Sequence, residues 1–394
     1  MSRQSPIQQT LSRQPVSQPS VSGQVVPFTS TASAETEPVA EPARVLMLGE
    51  RRIADDEPCC VIAEIGHNHC GSVDIARKMI EIAADCGAAA VKLQKRDTAA
   101  VYTAAFLKRP YEHDNSYGRT YGEHREALEL TTDAYRACQD VASRRGLLFM
   151  ATAFDERSAA MLADLKVPAI KIASGDLTNT PLLRFTASLG LPMIVSTGGG
   201  TDADIDRAVN AILPANRQLA LLHCTASYPC AFDELNLQCI VTLRERYPEL
   251  VIGWSGHDSG IAMAVMAYTL GARIIEKHFT LNRANKGADH AFSLEPTGLR
   301  KLVRDLDRAK VARGDGQKVR YASEHGPLTK MGKSLVAAIP LAAGHTLRRE
   351  DLLCKSPAGG LPPYQIDQIV GKRLARSVDA DQTLTTDDIS SEVA

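Results

Sequence analysis

The feature that most constrains this chain is a rhythm that begins near Cys59. Short apolar runs alternate with stretches of helical periodicity, and the alternation repeats eight times before about residue 314. The runs are CCVIAEIG, AAAVKLQ, LLFMATAF, AIKIASGD, PMIVSTGG, LALLHCTASYP, LVIGWSGHD and ARIIEKHFT. Between the first two, SVDIARKMIEIAADCG repeats apolar residues at Ile75, Met79, Ile82 and Cys86, with Ser72 placed to cap a helix and Gly87 to stop it. Strands that alternate with helices form a parallel sheet with right-handed crossovers. Eight such units in about 250 residues predict a (β/α)8 TIM barrel. An open doubly wound sheet shares the pattern. It is disfavoured because no G-x-G-x-x-G follows the first run, and STGGGTD after the fifth does not match a phosphate-binding loop.

The 394 residues exceed one ordinary domain. Residues 1–43 are rich in Ser, Gln, Pro and Thr and are expected to be a disordered N-terminal tail, because they bury too little apolar surface to offset their ordering entropy. Residues 44–320 are assigned to the barrel and 321–332 to a linker. Residues 333–394 show short strand-like pieces and turns, and read as a small, mostly β domain. A unit of that size is marginal alone, so it is expected to pack on the barrel or on a partner subunit. With 45 basic and 46 acidic residues there is no positive surplus for nucleic acid. No apolar run reaches membrane-spanning length, and the first residues lack an apolar leader core. Nine scattered cysteines without C-x-x-C pairs read as free thiols in a reducing compartment, so a cytoplasmic protein is expected.

In a barrel the C-terminal strand ends share one face, where catalytic groups gather. Here every run ends polar: Glu64; Lys92 and Gln94; Thr152; Lys171 and Ser174; Ser196; His223 and Thr225; Ser255 and His257; Glu276 and His278. Side chains alternate along a strand, so Glu276 and His278 are expected to face the site while Lys277 faces the helices or solvent. His257 and His278 on neighbouring strands could hold one divalent metal and leave positions open for substrate and water. Lys92 and Lys171, with Thr152, Ser174, Ser196 and Ser255, form a donor set suited to phosphate and carboxylate oxygens. Three readings fit these residues. One is a condensing enzyme that holds a phosphorylated acid beside a metal-bound carbonyl. The second is a metal-dependent, amidohydrolase-like hydrolase, suggested by His67 and His69 in an H-x-H pattern. Against it, Ser196 stands where a fifth-strand histidine ligand is wanted. The third is a sugar-binding protein that keeps only the pocket, a reading at odds with the intact lysines and acids.

Several longer motifs carry a resemblance. IAEIGHNHCGSVDIARKMIEIAADCGAAAVKLQ, KIASGDLTNTPLLR, LLHCTASYP, SGHDSGIA and EKHFTLNRANKGADHAFSLEP resemble the sialic acid synthases, and the segment from Lys333 resembles their antifreeze-like SAF domain. YGRTYGEHREALEL resembles the branch that includes the animal enzymes. The resemblance implies condensation of phosphoenolpyruvate with an N-acylated hexosamine, N-acetylmannosamine or its 6-phosphate, to give N-acetylneuraminate or its 9-phosphate; a related nonulosonate synthase using another hexosamine is the near alternative. It implies Mn2+ or Mg2+ on His257 and His278, and a domain-swapped homodimer in which each SAF domain closes the partner's barrel. Lys92 and Thr152 would hold the carboxylate of phosphoenolpyruvate, and Lys171, Ser174, Ser196 and Ser255 its phosphate. Glu64 and Glu276 would stabilise the developing cation and move protons. Gln94, Tyr228 and Asp289 would contact the sugar and bound water. Asp176 joins the substrate-binding set where many bacterial members carry Glu. Ala226 replaces an Asn of some members. Ser356 stands where many SAF domains place an Arg, which leaves the adjacent Lys355 as the candidate to reach the sugar.

Overall fold

The eight apolar runs pair in parallel and close on themselves. The structure, a computed structural model, describes residues 44–390; the expected tail over 1–43 lies outside the described residues. A hairpin comes first, β1 (Val45–Leu48) with β2 (Arg51–Ala54). The barrel strands follow: β3 (Cys60–Gly66), β4 (Ala90–Lys95), β5 (Leu148–Ala153), β6 (Ile170–Ile172), β7 (Met193–Ser196), β8 (Leu219–Cys224), β9 (Val251–Gly256) and β10 (Ile274–His278). Each pairs with the next, and β10 pairs with β3 to complete the cylinder.

The alternation of side chains sorts each strand into two sets. Val61, Ala63 and Ile65 of β3, Phe149 and Ala151 of β5 and Ile275 of β10 point outward into the shell of helices. Ile62, Met150, Ile194, Leu222 and Ile274 point inward, and they pack with Leu46, Leu48 and Ile53 of the hairpin. The hairpin therefore plugs the N-terminal mouth with an apolar floor. It was not read from the sequence, because four-residue strands beside charged residues carry too short an alternation to register. Asp55 pins it in place, with Arg244 Nη2 at 2.9 Å and Arg273 Nε at 3.0 Å. Above the floor the inward positions turn polar, which makes the C-terminal mouth the chemical end.

The first barrel helix, Val73–Asp85, is capped by Ser72 as expected, with Ile75 N–H donating to its Oγ. Its buried face is Ala76, Met79, Ile80 and Ala83 rather than a face containing Ile75, which is exposed. The small alanines let the helix lie close to the strands, so the apolar stripe is rotated from the one traced by the larger side chains. Between β4 and the helix Thr132–Arg144, residues 98–128 form three short helices and loops over the C-terminal mouth.

Beyond the barrel, residues 321–332 include the helix His325–Met331. Then β11 (Ser334–Ala337) pairs antiparallel with β12 (Leu352–Lys355). This small domain has its own core, including Leu335, Leu347, Leu352, Leu374 and Leu384. All nine cysteines are free thiols, matching the sequence reading. Among the described residues, no helix is long and apolar enough to cross a membrane.

Candidate active site

A cavity of about 440 Å³ opens at the C-terminal strand ends. Its base is an ionic cluster built from strand register. Glu64 and Lys92 are opposed on β3 and β4, and Lys92 Nζ lies 2.6 Å from Glu64 Oε2. Lys92 also donates to Thr152 Oγ1 at 2.8 Å and sits 3.8 Å from Glu276 Oε2. Lys171 donates to Ser196 Oγ and, at 2.9 Å, to the Ile172 carbonyl. Ser255 donates to Glu276 Oε1 at 2.9 Å. All these side chains are buried.

Burial disfavours every one of these charges, and the neighbours decide what survives. For Lys92, burial pushes the ammonium pKa down, but Glu276 and Glu64 outweigh it and hold it above the ordinary lysine value. For Lys171, burial wins and the pKa falls, since the pull of Glu276 is opposed by Lys92. For Glu276, burial would raise the carboxyl, yet Lys171, Lys92 and the Ser255 hydroxyl hold it below the usual carboxylate range.

Gly66 ends β3 at a register shift, with φ at +54°. A Cβ there would sit 3.2 Å from both Gln94 Nε2 and Glu64 Oε1. Glycine thus suits both the turn and the close approach of these two side chains. Gln94 uses that space to donate to Glu64 Oε1 at 2.9 Å.

Two imidazoles stand beside this cluster. His257 follows β9, His278 ends β10, and their ring centroids are 5.4 Å apart. His257 Nδ1–H donates to the Thr225 carbonyl at 3.0 Å, which leaves the Nε2 lone pair open. Burial pushes its pKa down to about 3, so the ring is neutral. His278 Nδ1 is buried without a hydrogen-bond partner, 3.7 Å from Asp289 Oδ2. Tyr228 packs over the His257 ring at 4.1 Å between centroids. Among the described residues, no group of three or more His, Cys, Asp or Glu side chains is arranged to hold a metal ion.

Most of the expected residues meet in this one cavity, among them Glu64, Lys92, Ser174, Tyr228 and Asp289. Asp176 does not line it; this half-buried carboxylate accepts from Asn179 Nδ2 at 3.0 Å. Lys355 does not line it either; it lies on the surface of the small domain, paired with Asp381. Lys277 points outward as expected, but into the shell and not to solvent, with its Nζ 2.8 Å from Asp258 Oδ1. His223 also points outward, and its Nε2–H donates to the Leu235 carbonyl at 2.8 Å. In the H-x-H pair the ring centroids are 6.0 Å apart; His67 lines the cavity, while His69 does not, and its Nδ1 accepts from Gly71 N–H at 3.1 Å. Sequence reasoning missed Arg96, Tyr102, Tyr111, His124 and Arg125, which also line the cavity. Their signal was the concentration of aromatic and basic residues in 96–125.

Comparison with known proteins decides the family. The NeuB family model matches residues 79–318, and the SAF domain model matches residues 332–390. The chain belongs to the NeuB family. NeuB-family synthases are enzymes of the condensing type. N-acetylneuraminate-9-phosphate synthase of Mus musculus is 37% identical over 342 residues, covering 86% of this chain and 95% of the mouse protein. N,N'-diacetyllegionaminic acid synthase of Legionella pneumophila is 34% identical, covering 83% of this chain and 93% of that protein. The crystal structure of an N-acetylneuraminic acid synthetase from Leptospira borgpetersenii superposes with a TM-score of 0.64 at 32% identity, over 73% of this chain and 96% of that one. The chain is therefore a sialic acid or nonulosonate synthase by family, with a barrel and a SAF domain.

Proposed function

We propose that this NeuB-family protein condenses phosphoenolpyruvate with an N-acylated hexosamine of the N-acetylmannosamine type and water, giving a nine-carbon keto acid and phosphate. The observation that carries the reading is the meeting in one cavity of two buried lysines, two buried glutamates and two open imidazoles. A hydrolase would not need two lysines backed by serine and threonine hydroxyls, and in its H-x-H motif His69 does not line the cavity and spends its Nδ1 on the Gly71 N–H.

The donors sort by position. Lys92 and Thr152 face one end of the cluster and suit a carboxylate. Lys171, Ser196, Ser174 and Ser255 suit a phosphate. These donors satisfy one another, with Lys171 on Ser196 and Lys92 on Thr152; an anion would replace those contacts. The methylene carbon of the enol attacks the sugar aldehyde, forming the new C–C bond, and the aldehyde oxygen becomes a hydroxyl. The positive charge that develops at the phosphate-bearing carbon faces Glu64 and Glu276. Water adds to that carbon as a carboxylate takes its proton. The tetrahedral adduct then collapses to the ketone, and phosphate leaves with the bridging oxygen.

The donor set fits a divalent ion of the Mn2+ or Mg2+ type. Neutral His257 presents a free Nε2, and His278 keeps an unpartnered buried Nδ1 near Asp289. Two imidazoles would hold it, with the rest of its shell from water and substrate. When bound it supplies Lewis-acid polarisation of the aldehyde. Gln94, Tyr228 and Asp289 orient the sugar beside it. The proposed working unit is a swapped homodimer, in which Lys355 of one small domain reaches the barrel of its partner.

The test is direct. Phosphoenolpyruvate with N-acetylmannosamine, or with its 6-phosphate, should yield phosphate and keto acid in equal amounts. If no N-acylated hexosamine drives phosphate release, the proposal is wrong.

A further inference from the structure

The two histidines proposed to hold the metal stand on neighbouring strands, and the sheet fixes them unequally. His278 ends β10 opposite Glu64 of β3. Backbone bonds secure it on that side: Phe279 N–H donates to the Glu64 carbonyl at 2.7 Å, and Leu294 N–H donates to the His278 carbonyl at 2.8 Å. His257 is placed differently. The ladder of β8 with β9 ends at Cys224 and Ser255, and that of β9 with β10 ends at Gly256 and Lys277. His257 and Asp258 therefore lie past both ladders. Toward β8, the His257 carbonyl accepts from Cys230 N–H at 3.1 Å and its ring donates to the Thr225 carbonyl. Toward β10, the tie is a side chain, that of Lys277.

Lys277 lies between Glu276 and His278 in the chain but points out of the barrel. Its Nζ donates twice to Asp258, to the backbone carbonyl at 2.6 Å and to Oδ1 at 2.8 Å. The two side chains are only 2% and 1% exposed, so the bonds are made away from water. The ammonium also lies 5.4 Å from the centre of the Trp254 ring. That ring packs so closely on Gly256 that a Cβ there would fall 2.1 Å from it. Lys277, Trp254 and Gly256 thus form one packed unit behind His257. Neither Lys277 nor Asp258 lines the cavity.

A buried ion pair stabilises a fold little more than apolar residues of the same volume would. What this one supplies is direction. By holding a carbonyl and a carboxylate oxygen of the same residue, Lys277 fixes the backbone one position from His257 against the backbone one position from His278. Ligand distances to a metal tolerate only about 0.2 Å of error, so a site shared between two strands depends on that separation.

Resting on the metal reading above, we infer that the Lys277–Asp258 pair is a positioning element, which sets the spacing of His257 and His278 from behind the barrel wall and thereby the affinity for the divalent ion. Both residues act through the histidines and touch neither substrate nor ion.

The experiment uses the full chain as wild type, Lys277→Met, Lys277→Arg and the double variant Lys277→Met with Asp258→Leu. The single Met variant leaves a buried carboxylate unpaired and is expected to unfold more easily. The double variant removes both charges, so its Tm should return close to that of wild type. Three quantities are read: Tm by circular dichroism, the dissociation constant for Mn2+ by equilibrium dialysis without substrates, and the dissociation constant for phosphoenolpyruvate by calorimetry. Residues that orient metal ligands are typically worth about 10- to 100-fold in metal affinity. The double variant should therefore bind Mn2+ about 10- to 100-fold more weakly, although folded, while its affinity for phosphoenolpyruvate changes by about twofold or less. Lys277→Arg keeps a cation with several donors and should regain most of the lost Mn2+ affinity. A folded double variant that binds Mn2+ as wild type does would make the pair a packing element and overturn the inference. Equal losses for Mn2+ and phosphoenolpyruvate would mean general damage to the barrel mouth and overturn it too. An arginine variant as weak toward Mn2+ as the double variant would also count against it. If the wild type binds neither Mn2+ nor Mg2+, the metal reading itself falls, and this inference with it.

Discussion

Glu276→Gln is the substitution whose consequences can be worked furthest from the structure. The carboxylate is buried, accepts from Ser255, and is the shared counter-charge of Lys92 and Lys171. Glutamine keeps the shape and can still accept from Ser255, so packing is nearly unchanged. The charge is lost, and the base of the cavity then holds two ammonium groups against Glu64 alone. Removing one partner of a buried ion pair typically costs about 3–5 kcal/mol. For a domain of 150–250 residues each kcal/mol moves the midpoint by roughly 2–4 °C, so a fall in Tm of about 6 °C or more is expected near neutral pH. The pH dependence gives the sign. The folded-state pKa of Glu276 is depressed, so its contribution is fully present above the unfolded value and is lost as pH falls through the folded value. The gap in Tm between wild type and variant should therefore narrow below about pH 4.5, the ordinary glutamate range. Thermal unfolding followed by circular dichroism across that range is the assay. A variant as stable as wild type at neutral pH, or a gap that widens on acidification, would refute the electrostatic reasoning. Turnover should also fall by a factor of about 10²–10⁴ if the carboxylate moves a proton in the transition state.

Further outcomes follow from the same structure. Chelation should abolish phosphate release, and Mn2+ or Mg2+ should restore it; in equilibrium dialysis, the His257→Ala and His278→Ala variants should retain little metal. His69 is buried with its pKa depressed to about 4, so the unfolded chain binds its proton first as pH drops from about 6.5. Stability should consequently be lost between those values, by up to about 3 kcal/mol, and His69→Asn should show a flatter profile in denaturant titrations. A Lys171→Ala chain mixed with a chain lacking residues 333–394 should recover activity above either parent once subunits exchange. No recovery, with heterodimers demonstrated, would argue against a swapped dimer.

The site was legible where a rule of alternation applied. The strand ends named themselves because each apolar run of the barrel stops at a polar residue, and the parity of Ile275, Glu276, Lys277 and His278 separated the cavity from the shell. A small, mostly β domain was legible from the loss of helical periodicity after Gly332, and its SAF character from resemblance alone. Residues whose position depends on tertiary packing escaped. The hairpin floor has only four-residue strands. Arg96 lies just past the end of β4 and is buried beside residues 98–128, which no strand alternation foretells, and Arg125 sits in a short helix with little periodicity. Asp176 and Lys355 came from motif alone, and in the single chain neither lines the cavity. For Lys355 the reason is physical: it is carried by a separate small domain with its own core, so strand alternation in the barrel says nothing about where it lies.

The central claim is that this cavity joins phosphoenolpyruvate to a sugar aldehyde by carbon–carbon bond formation, with water entering at the phosphate-bearing carbon. Phosphoenolpyruvate carrying a heavy-oxygen label in its bridging position tests this in a single turnover analysed by mass spectrometry. Condensation as proposed transfers the label to the released phosphate, while the new ketone oxygen comes from water. Label retained in the keto acid, with unlabelled phosphate, would show cleavage at phosphorus and contradict the account.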